Sequence, residues 1–229
     1  MFTPLTNLEI LQKRYLEYCT TRGILGTILL APEGINGYLA GEVYAIQDMK
    51  SLLLSEQAFS ALNFKESYSE TIPYRKLLVK IKDSIISFDS DDIHPNELTG
   101  TYVSPQTLKE WLDNNMEIVL LDTRNTYETE MGAFKNARTL PIAHFRDFPK
   151  LFDEIKNEFD QKTIVMYCTG GIRCEKATAY ALKSGLKNVY QLHGGILQYL
   201  KDCGGAHYEG TCFVFDNRRA VNVDLEETN

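Results

Sequence analysis

Residues 163–183 read TIVMYCTGGIRCEKATAYALK, and this stretch decides the fold. Thr163 to Tyr167 is a short run of apolar and β-branched residues, the pattern of a buried strand. Cys168 follows it, and Gly170 and Gly171 then permit a tight loop whose backbone N–H groups can converge. From about Arg173 to Lys183 the pattern is helical. Strand, glycine loop and helix in that order put Cys168 at the carboxyl end of a strand, where parallel sheets carry their working sites.

The same alternation extends to both sides. Upstream, Ser104-Pro105 offers a helix cap followed by a proline in the first turn, and that helix runs to about Asn114. Ile118 to Leu121 is an apolar strand closed by Asp122, helix-like residues lie near Tyr127, and a loop continues to Leu140. Phe148 to Phe159 reads as an amphipathic helix. Downstream come a strand from Val189 to Leu192, the pair Gly194-Gly195, and a helix from about Ile196. Short apolar strands alternating with helices predict an α/β domain with a parallel sheet and helices on both faces.

The N-terminal part is organised differently. Residues 5–20 carry Leu8, Leu11, Tyr15 and Tyr18 at helical spacing. Ile28 to Ala31 reads as a strand, Pro32 to Gly37 as a turn, Tyr38 to Ala40 as the return strand, and Val43 to Leu54 as a second helix. Two or three extended pieces are expected between Asn63 and Phe88, one of them at Leu77 to Ile81. This order is that of a βαββαβ split unit whose first strand is short or absent. Asp89 to Pro105 is polar and aperiodic and reads as a linker. The expected division is a first domain over 1–90, a linker over 91–103, a second domain over 104–205, and a C-terminal extension over 206–229.

Composition narrows the function. The 229 residues, 44% hydrophobic and 24% charged, suit a globular chain of two domains. No run approaches the roughly 18 apolar residues of a membrane span, and MFTPLTNLEILQKRY lacks the basic and apolar regions of a signal peptide. A cytoplasmic location is expected. Five widely spaced cysteines argue against a disulfide framework. No C-x-x-C pair occurs and no histidine falls in a ligand pattern, so no metal is expected. No cofactor site is legible. A net charge of -7 argues against non-specific coating of nucleic acid. Locally, however, Arg75, Lys76, Lys80 and Lys82 gather in the run YRKLLVKIK, and Lys176 follows the cysteine loop. These five are candidate RNA contacts, with a solvated charged surface as the ordinary alternative.

The loop itself carries the chemistry. Thr169, Gly170, Gly171, Ile172, Arg173 and Cys174 would form a cradle of amides backed by a helix N-terminus, which favours an anion. A thiol at its head should have a depressed pKa, and Arg173 adds a positive charge. The expected product is a nucleophilic, partly exposed Cys168 thiolate. A buried spacer cysteine is the plain alternative, and a thiolate among amide donors could also attack phosphate. Cys174 reads equally as a resolving thiol or as a core residue. Asp122 and Arg124 read as a strand cap with an ion pair, or as a network under the cysteine pocket. Cys19, Cys203 and Cys212 read as structural, and His193 as a core or surface residue.

The motifs Asp122-Thr-Arg-Asn-x-Tyr-Glu, Gly132-Ala-Phe-x-x-Ala137, Cys168-Thr-Gly-Gly-Ile-Arg-Cys174 and Leu192-x-Gly-Gly-Ile196 together resemble the signature of a rhodanese domain. Adding GTILLAPEGINGYLAG, IPYRKLLVKIK, CTGGIRCEKA and YEGTCFVFDNR, the chain resembles the rhodanese-containing tRNA uridine hydroxylases over essentially its full length. Members of that family usually begin with a further strand, and many continue into a cysteine-rich tail. The resemblance implies formation of 5-hydroxyuridine at the tRNA wobble position, with molecular oxygen as co-substrate and Cys168 as the essential residue. It implies an acylphosphatase- or ferredoxin-like first domain that presents the anticodon stem-loop, the basic run touching the RNA backbone. The loop alone also supports a persulfide-forming sulfurtransferase, directed at thiosulfate or tRNA. A non-catalytic adaptor is the third reading.

Overall fold

The structure is a computed structural model that describes residues 1–90 and 92–228; Asp91, first of the expected linker, and Asn229, last of the expected extension, lie outside them. The chain forms two compact units, Met1–Ile86 with Phe215–Asn217, and Ser87–Val214 with Arg218–Asn229.

The first unit contains α1 (Leu8–Thr21), β1 (Leu25–Ala31), β2 (Gly34–Ala40), α2 (Val43–Leu54) and β3 (Leu77–Ile81). The strands form one sheet in the order β2-β1-β3, with β1 antiparallel to β2 and parallel to β3. Its core joins Tyr15 and Cys19 of α1, Ile28 and Leu30 of β1, Met49 of α2 and Phe59. Pairing of Ala31 with Gly34 confines the turn to Pro32 and Glu33, so residues 34–37, expected as turn, are strand. The glycines are there because backbones approach closely. A Cβ on Gly34 would stand 2.2 Å from the Met1 carbonyl oxygen, and one on Gly37 2.7 Å from that of Thr27. The expected short first strand is a single bridge, Phe2 to Gly34, flanked by hydrogen bonds from Thr3 N–H to Glu33 O and from Ile35 N–H to Met1 O. Between Asn63 and Phe88 the described residues form one strand, not two or three, because residues 65–72 are exposed and pair with nothing in a ladder.

The second unit runs through β4 (Thr101–Val103), α3 (Pro105–Asp113), β5 (Ile118–Asp122), α4 (Thr126–Thr129), β6 (Gly132–Phe134), α5 (Phe148–Ile155), β7 (Thr163–Tyr167), α6 (Ile172–Lys183), β8 (Val189–Leu192), α7 (Gly195–Cys203), β9 (Tyr208–Gly210), β10 (Cys212–Phe213) and β11 (Ala220–Val221). The main sheet has the order β4-β8-β7-β5 and is parallel throughout. Strand β7 lies inside it, and Ile164, Val165, Met166 and Tyr167 are all buried, as covering both faces of a sheet requires. Helix α3 starts as expected, the Ser104 hydroxyl accepting from Thr107 N–H at 3.0 Å with Pro105 in the first turn.

Three residues expected as linker form the edge strand β4. Thr101 and Tyr102 are exposed, so this strand carries no apolar run to betray it. The helix expected over 148–159 is α-helical only to Ile155 and finishes as a 3-10 turn, Lys156–Phe159. Beyond residue 205, all but Phe215–Asn217 build into this unit: β9 pairs antiparallel with β6, and β10 with β11. At the centre of this packing, Phe134 meets the rings of Tyr167, Tyr199 and Tyr208 edge-on at 4.9, 4.7 and 5.4 Å between centroids. Each such pair adds about 0.5–1.5 kcal/mol beyond area burial.

Candidate active site

Strand β7 ends at Tyr167, and Cys168 stands at the carboxyl edge of the sheet, between the ends of β5 and β8. The loop turns through Gly171, whose φ of +94° is left-handed and suits glycine alone. Its N–H group donates to Cys168 Sγ at 3.1 Å. On its other side the loop is braced by the first turn of α7. Ile196 N–H donates to the Cys168 carbonyl at 2.9 Å and Leu197 N–H to that of Thr169 at 3.1 Å. Gly195 makes this approach possible. A Cβ there would lie 2.4 Å from Cys168 O and 2.7 Å from Gly171 N, at a backbone φ of +67°.

Carbonyls therefore serve α7 while amides serve the sulfur. Burial by itself would push the Cys168 thiol up. A hydrogen bond from Cys174, the charge of Arg173 and the backbone N–H groups of Arg173 and Cys174 outweigh it and bring the thiol down to about 5. Cys174 moves the opposite way, raised well above the usual thiol range by burial and then by the neighbouring Cys168 sulfur. At neutral pH the pair is one thiolate and one thiol. Cys168 was expected to be partly exposed, yet it is 1% exposed. The brace from α7 closes the loop over it, a contact between elements that no local pattern announces.

Arg173 is not a free arm. Its two terminal nitrogens donate to the Glu128 carboxylate at 2.5 and 2.7 Å, and Glu128 also accepts from Thr169 Oγ1 at 3.2 Å and Asn125 N–H at 3.1 Å. This fork joins both ends of the loop to α4 in a buried site. Beneath it lies a second buried pair. Asp122 accepts from Arg124 N–H, Nε and Nη2 at 3.0, 2.9 and 2.7 Å, while Arg124 Nη2 also donates to Gly132 O at 2.6 Å. The pair ties the end of β5 to β6. Thr123, between them, donates its hydroxyl to Tyr167 O at 3.0 Å and lies 3.5 Å from Cys174 Sγ.

Thr169, Gly170, Gly171, Ile172, Arg173 and Cys174 form the loop and helix start that follow Cys168, with Asp122 and Arg124 paired at the end of the neighbouring strand β5. Arg75, Lys76, Lys80 and Lys82 are exposed in the first unit, in and beside β3. Lys176 corrects an expectation. It is 5% exposed because α6 is enclosed at nearly every position from Arg173 to Ala181, so it offers no open surface to RNA. His193 is exposed and meets Tyr102 edge-on at 5.6 Å. Cys19 and Cys212 are buried and Cys203 half-buried.

Two residues of this site, Thr123 and Glu128, stand in the Asp122-to-Glu128 motif but were given no role there. Glu128 carried a usable signal, since Asn125-x-x-Glu128 has the spacing of a helix-start capping box. Thr123 had only its place in that motif, with no local pattern to give it a partner. Among the described residues no group of His, Cys, Asp or Glu side chains is gathered to hold a metal ion, and no helix is long and apolar enough to cross a membrane.

Two family models match this chain, "UPF0176 acylphosphatase like domain" over residues 1–85 and "Rhodanese-like domain" over residues 104–202. A protein of Delftia acidovorans named tRNA uridine(34) hydroxylase is 47% identical over 232 residues, covering 99% of this chain and 88% of that protein. Its namesake in Cupriavidus taiwanensis is 44% identical over 230 residues, covering 98% and 82%. A solved rhodanese-like domain from Anabaena aligns with 49% of this chain and 80% of its own at 20% identity, with a TM-score of 0.42.

Proposed function

The chain belongs to the tRNA uridine(34) hydroxylase family, and on that premise we propose that it hydroxylates C5 of the wobble uridine of tRNA, giving 5-hydroxyuridine, through the Cys168 thiolate. The observation that carries the reading is the seat of the sulfur: hydrogen-bonded by Gly171 N–H at the carboxyl edge of the sheet, with the Arg173 charge beside it and its pKa brought down to about 5.

The chemistry follows from what a thiolate does to a pyrimidine. The sulfur lone pair forms a bond to C6 of uracil, and the electron density displaced from the C5–C6 double bond makes C5 nucleophilic. C5 then takes one oxygen atom from molecular oxygen. The second oxygen atom leaves as water, which requires two electrons and two protons from an external reductant. Loss of the C5 proton restores the double bond as the C6–S bond pair returns to sulfur. The loop amides stabilise the sulfur whenever it carries charge, at the start and at the end. Arg173, held by Glu128, contributes its field without binding substrate directly. That engagement also argues against phosphoryl transfer, which would need the guanidinium turned onto phosphate oxygens.

For the RNA, the exposed Arg75, Lys76, Lys80 and Lys82 fit contacts with the phosphates of the anticodon stem-loop. Sulfur transfer is the second reading, favoured by the same amide cradle, which would hold a Cys168 persulfide anion equally well.

Nucleoside mass spectrometry of tRNA separates them, using cells that lack the gene and carry either the wild-type chain or Cys168→Ala. Restoration of 5-hydroxyuridine derivatives by the wild type alone is the expected result. A fall in thiolated nucleosides with hydroxylated ones unchanged makes the protein a sulfurtransferase, and no change in either overturns both readings.

A further inference from the structure

Cys168 shares the carboxyl edge of the main sheet with two aromatic side chains that the chemistry above does not use, Tyr102 of β4 and His193 just past β8. Strand β8 lies between β4 and β7, with Gln191 level with Tyr102 on one side and with Met166 on the other. Two residues further along, His193 is therefore level with Cys168. The ladder still holds there, since His193 N–H donates to Val103 O at 2.9 Å. Side chains alternate across a sheet. Val103, Val165, Tyr167 and Leu192 fill the core on one face, so Tyr102, Cys168 and His193 belong to the other. After His193 come Gly194 and Gly195, and a Cβ on Gly171 would stand 3.6 Å from the nitrogen of each. His193 is thus joined directly to the backbone that braces the cysteine loop.

The two rings are not part of the core. Tyr102 is 49% exposed, and His193 is exposed as well. They meet edge-on, with centroids 5.6 Å apart and planes at 84°. An edge-on contact uses one ring face and leaves the others clear of the partner ring. Open ring faces beside a reactive sulfur suit a planar ligand with a π-face, and a nucleobase is one. The substrate brings such ligands with it. A thiolate reaches C6 through the face of the uracil ring, so the wobble uridine has to be turned out of its stack, and the bases beside it lose a stacking partner.

We propose that Tyr102 and His193 form a stacking platform for a base that flanks the wobble uridine in the anticodon loop, holding the RNA while the uridine lies at Cys168. Strand β4 runs two strand spacings from β7, about 10 Å. The platform therefore begins beside the sulfur and extends away from it to the edge of the sheet, along the path that a neighbouring nucleotide would follow. Stacking tolerates any base, because every base has a π-face. The platform fixes the position of the loop without demanding a sequence.

This inference rests on the hydroxylase reading, but its test reads binding and not product. The full chain is titrated with a fluorescently labelled anticodon stem-loop, and with two further copies, each abasic at one of the positions flanking the wobble uridine. Tyr102→Leu combined with His193→Leu should weaken binding of the intact RNA about tenfold, whereas Tyr102→Phe combined with His193→Phe, which keeps both rings, should weaken it less than about twofold. One abasic RNA should bind the wild type about tenfold more weakly than the intact RNA does. On that RNA the leucine pair should cost less than about a further twofold, because the stacked base is already gone. A leucine pair that binds the intact RNA like the wild type overturns the proposal, as does an equal loss on the intact and both abasic RNAs. Should the leucine pair fail to fold, the wild type decides: equal affinity for the intact and both abasic RNAs overturns the proposal. The expected coupling, with tRNA nucleosides unchanged in cells lacking the gene, would keep the platform and fault the hydroxylase reading.

Discussion

Replacing Glu128 by Gln tests the loop's anchorage most sharply, because the change keeps the shape and alters only the charge and the proton count. Every contact of the carboxylate is with a donor. Oε2 receives Arg173 Nη1 and Asn125 N–H, and Oε1 receives Arg173 Nη2 and Thr169 Oγ1. With its NH2 turned toward Arg173 Nη1 and Asn125 N–H, the Gln amide meets two donors. Turned the other way it meets Arg173 Nη2, while the Thr169 hydroxyl can rotate to accept. In either orientation at least one hydrogen bond to Arg173 is broken, and Arg173 is left buried without its counter-charge. The lost charged bond accounts for about 1.5–3 kcal/mol, and with the counter-charge gone the destabilisation should reach about 3–5 kcal/mol, the range observed when one partner of a buried pair is removed. The chain's one tryptophan, Trp111, lies on α3 of the same unit with Tyr190 edge-on to it at 5.5 Å, so its fluorescence reports unfolding of that unit. With an m-value of about 1–3 kcal/mol per molar urea, the Trp111 midpoint should fall by at least about 1 M. A midpoint unchanged within about 0.3 M at constant m would refute the reasoning, and would mean that the loop is held chiefly by α7.

Two other perturbations address different parts of the molecule. Gly195→Ala forces a Cβ to 2.4 Å from the Cys168 carbonyl oxygen at a left-handed φ. It should cost about 1–3 kcal/mol and slow Cys168 alkylation at pH 7 by about tenfold or more, one decade for each 1.4 kcal/mol of the strain that displaces the loop; a wild-type rate would show that the brace is not what shapes the pocket. In the first unit, Lys80→Ala and Lys82→Ala should weaken tRNA binding and lower the slope of log affinity against log salt by about one for each phosphate left without its lysine. An unchanged slope, measured by filter binding across a salt series, removes these lysines from the RNA interface.

What could be read from the sequence follows from how local each signal is. Strand β7 and helix α2 fall where the pattern put them, because an apolar run or a helical period needs no distant partner to be recognised. Cys168 stood out for the same reason, framed by a strand before it and two glycines after it. Gly34 misled because glycine means a turn locally, whereas here it answers to the backbone of Met1. Strand β4 was hidden by its length and by the exposure of Thr101 and Tyr102. The burial of Cys168 and of Lys176 depends on α7 and on the packing around α6, which are facts of assembly. Glu128 lay between these cases, legible as a cap but not as the counter-charge of an arginine in another element.

The pairing of β6 with β9 has a consequence for synthesis. Gly132 O receives Arg124, the cation beneath the cysteine loop, and Gly132 itself pairs with Gly210, well downstream of Cys168. On a ribosome the segment carrying Cys168 emerges long before the strand that completes β6. The layer beneath the cysteine loop should therefore be completed only after Tyr208–Gly210 has emerged, and nascent chains still lacking that strand would hold Arg124 against an unpaired β6.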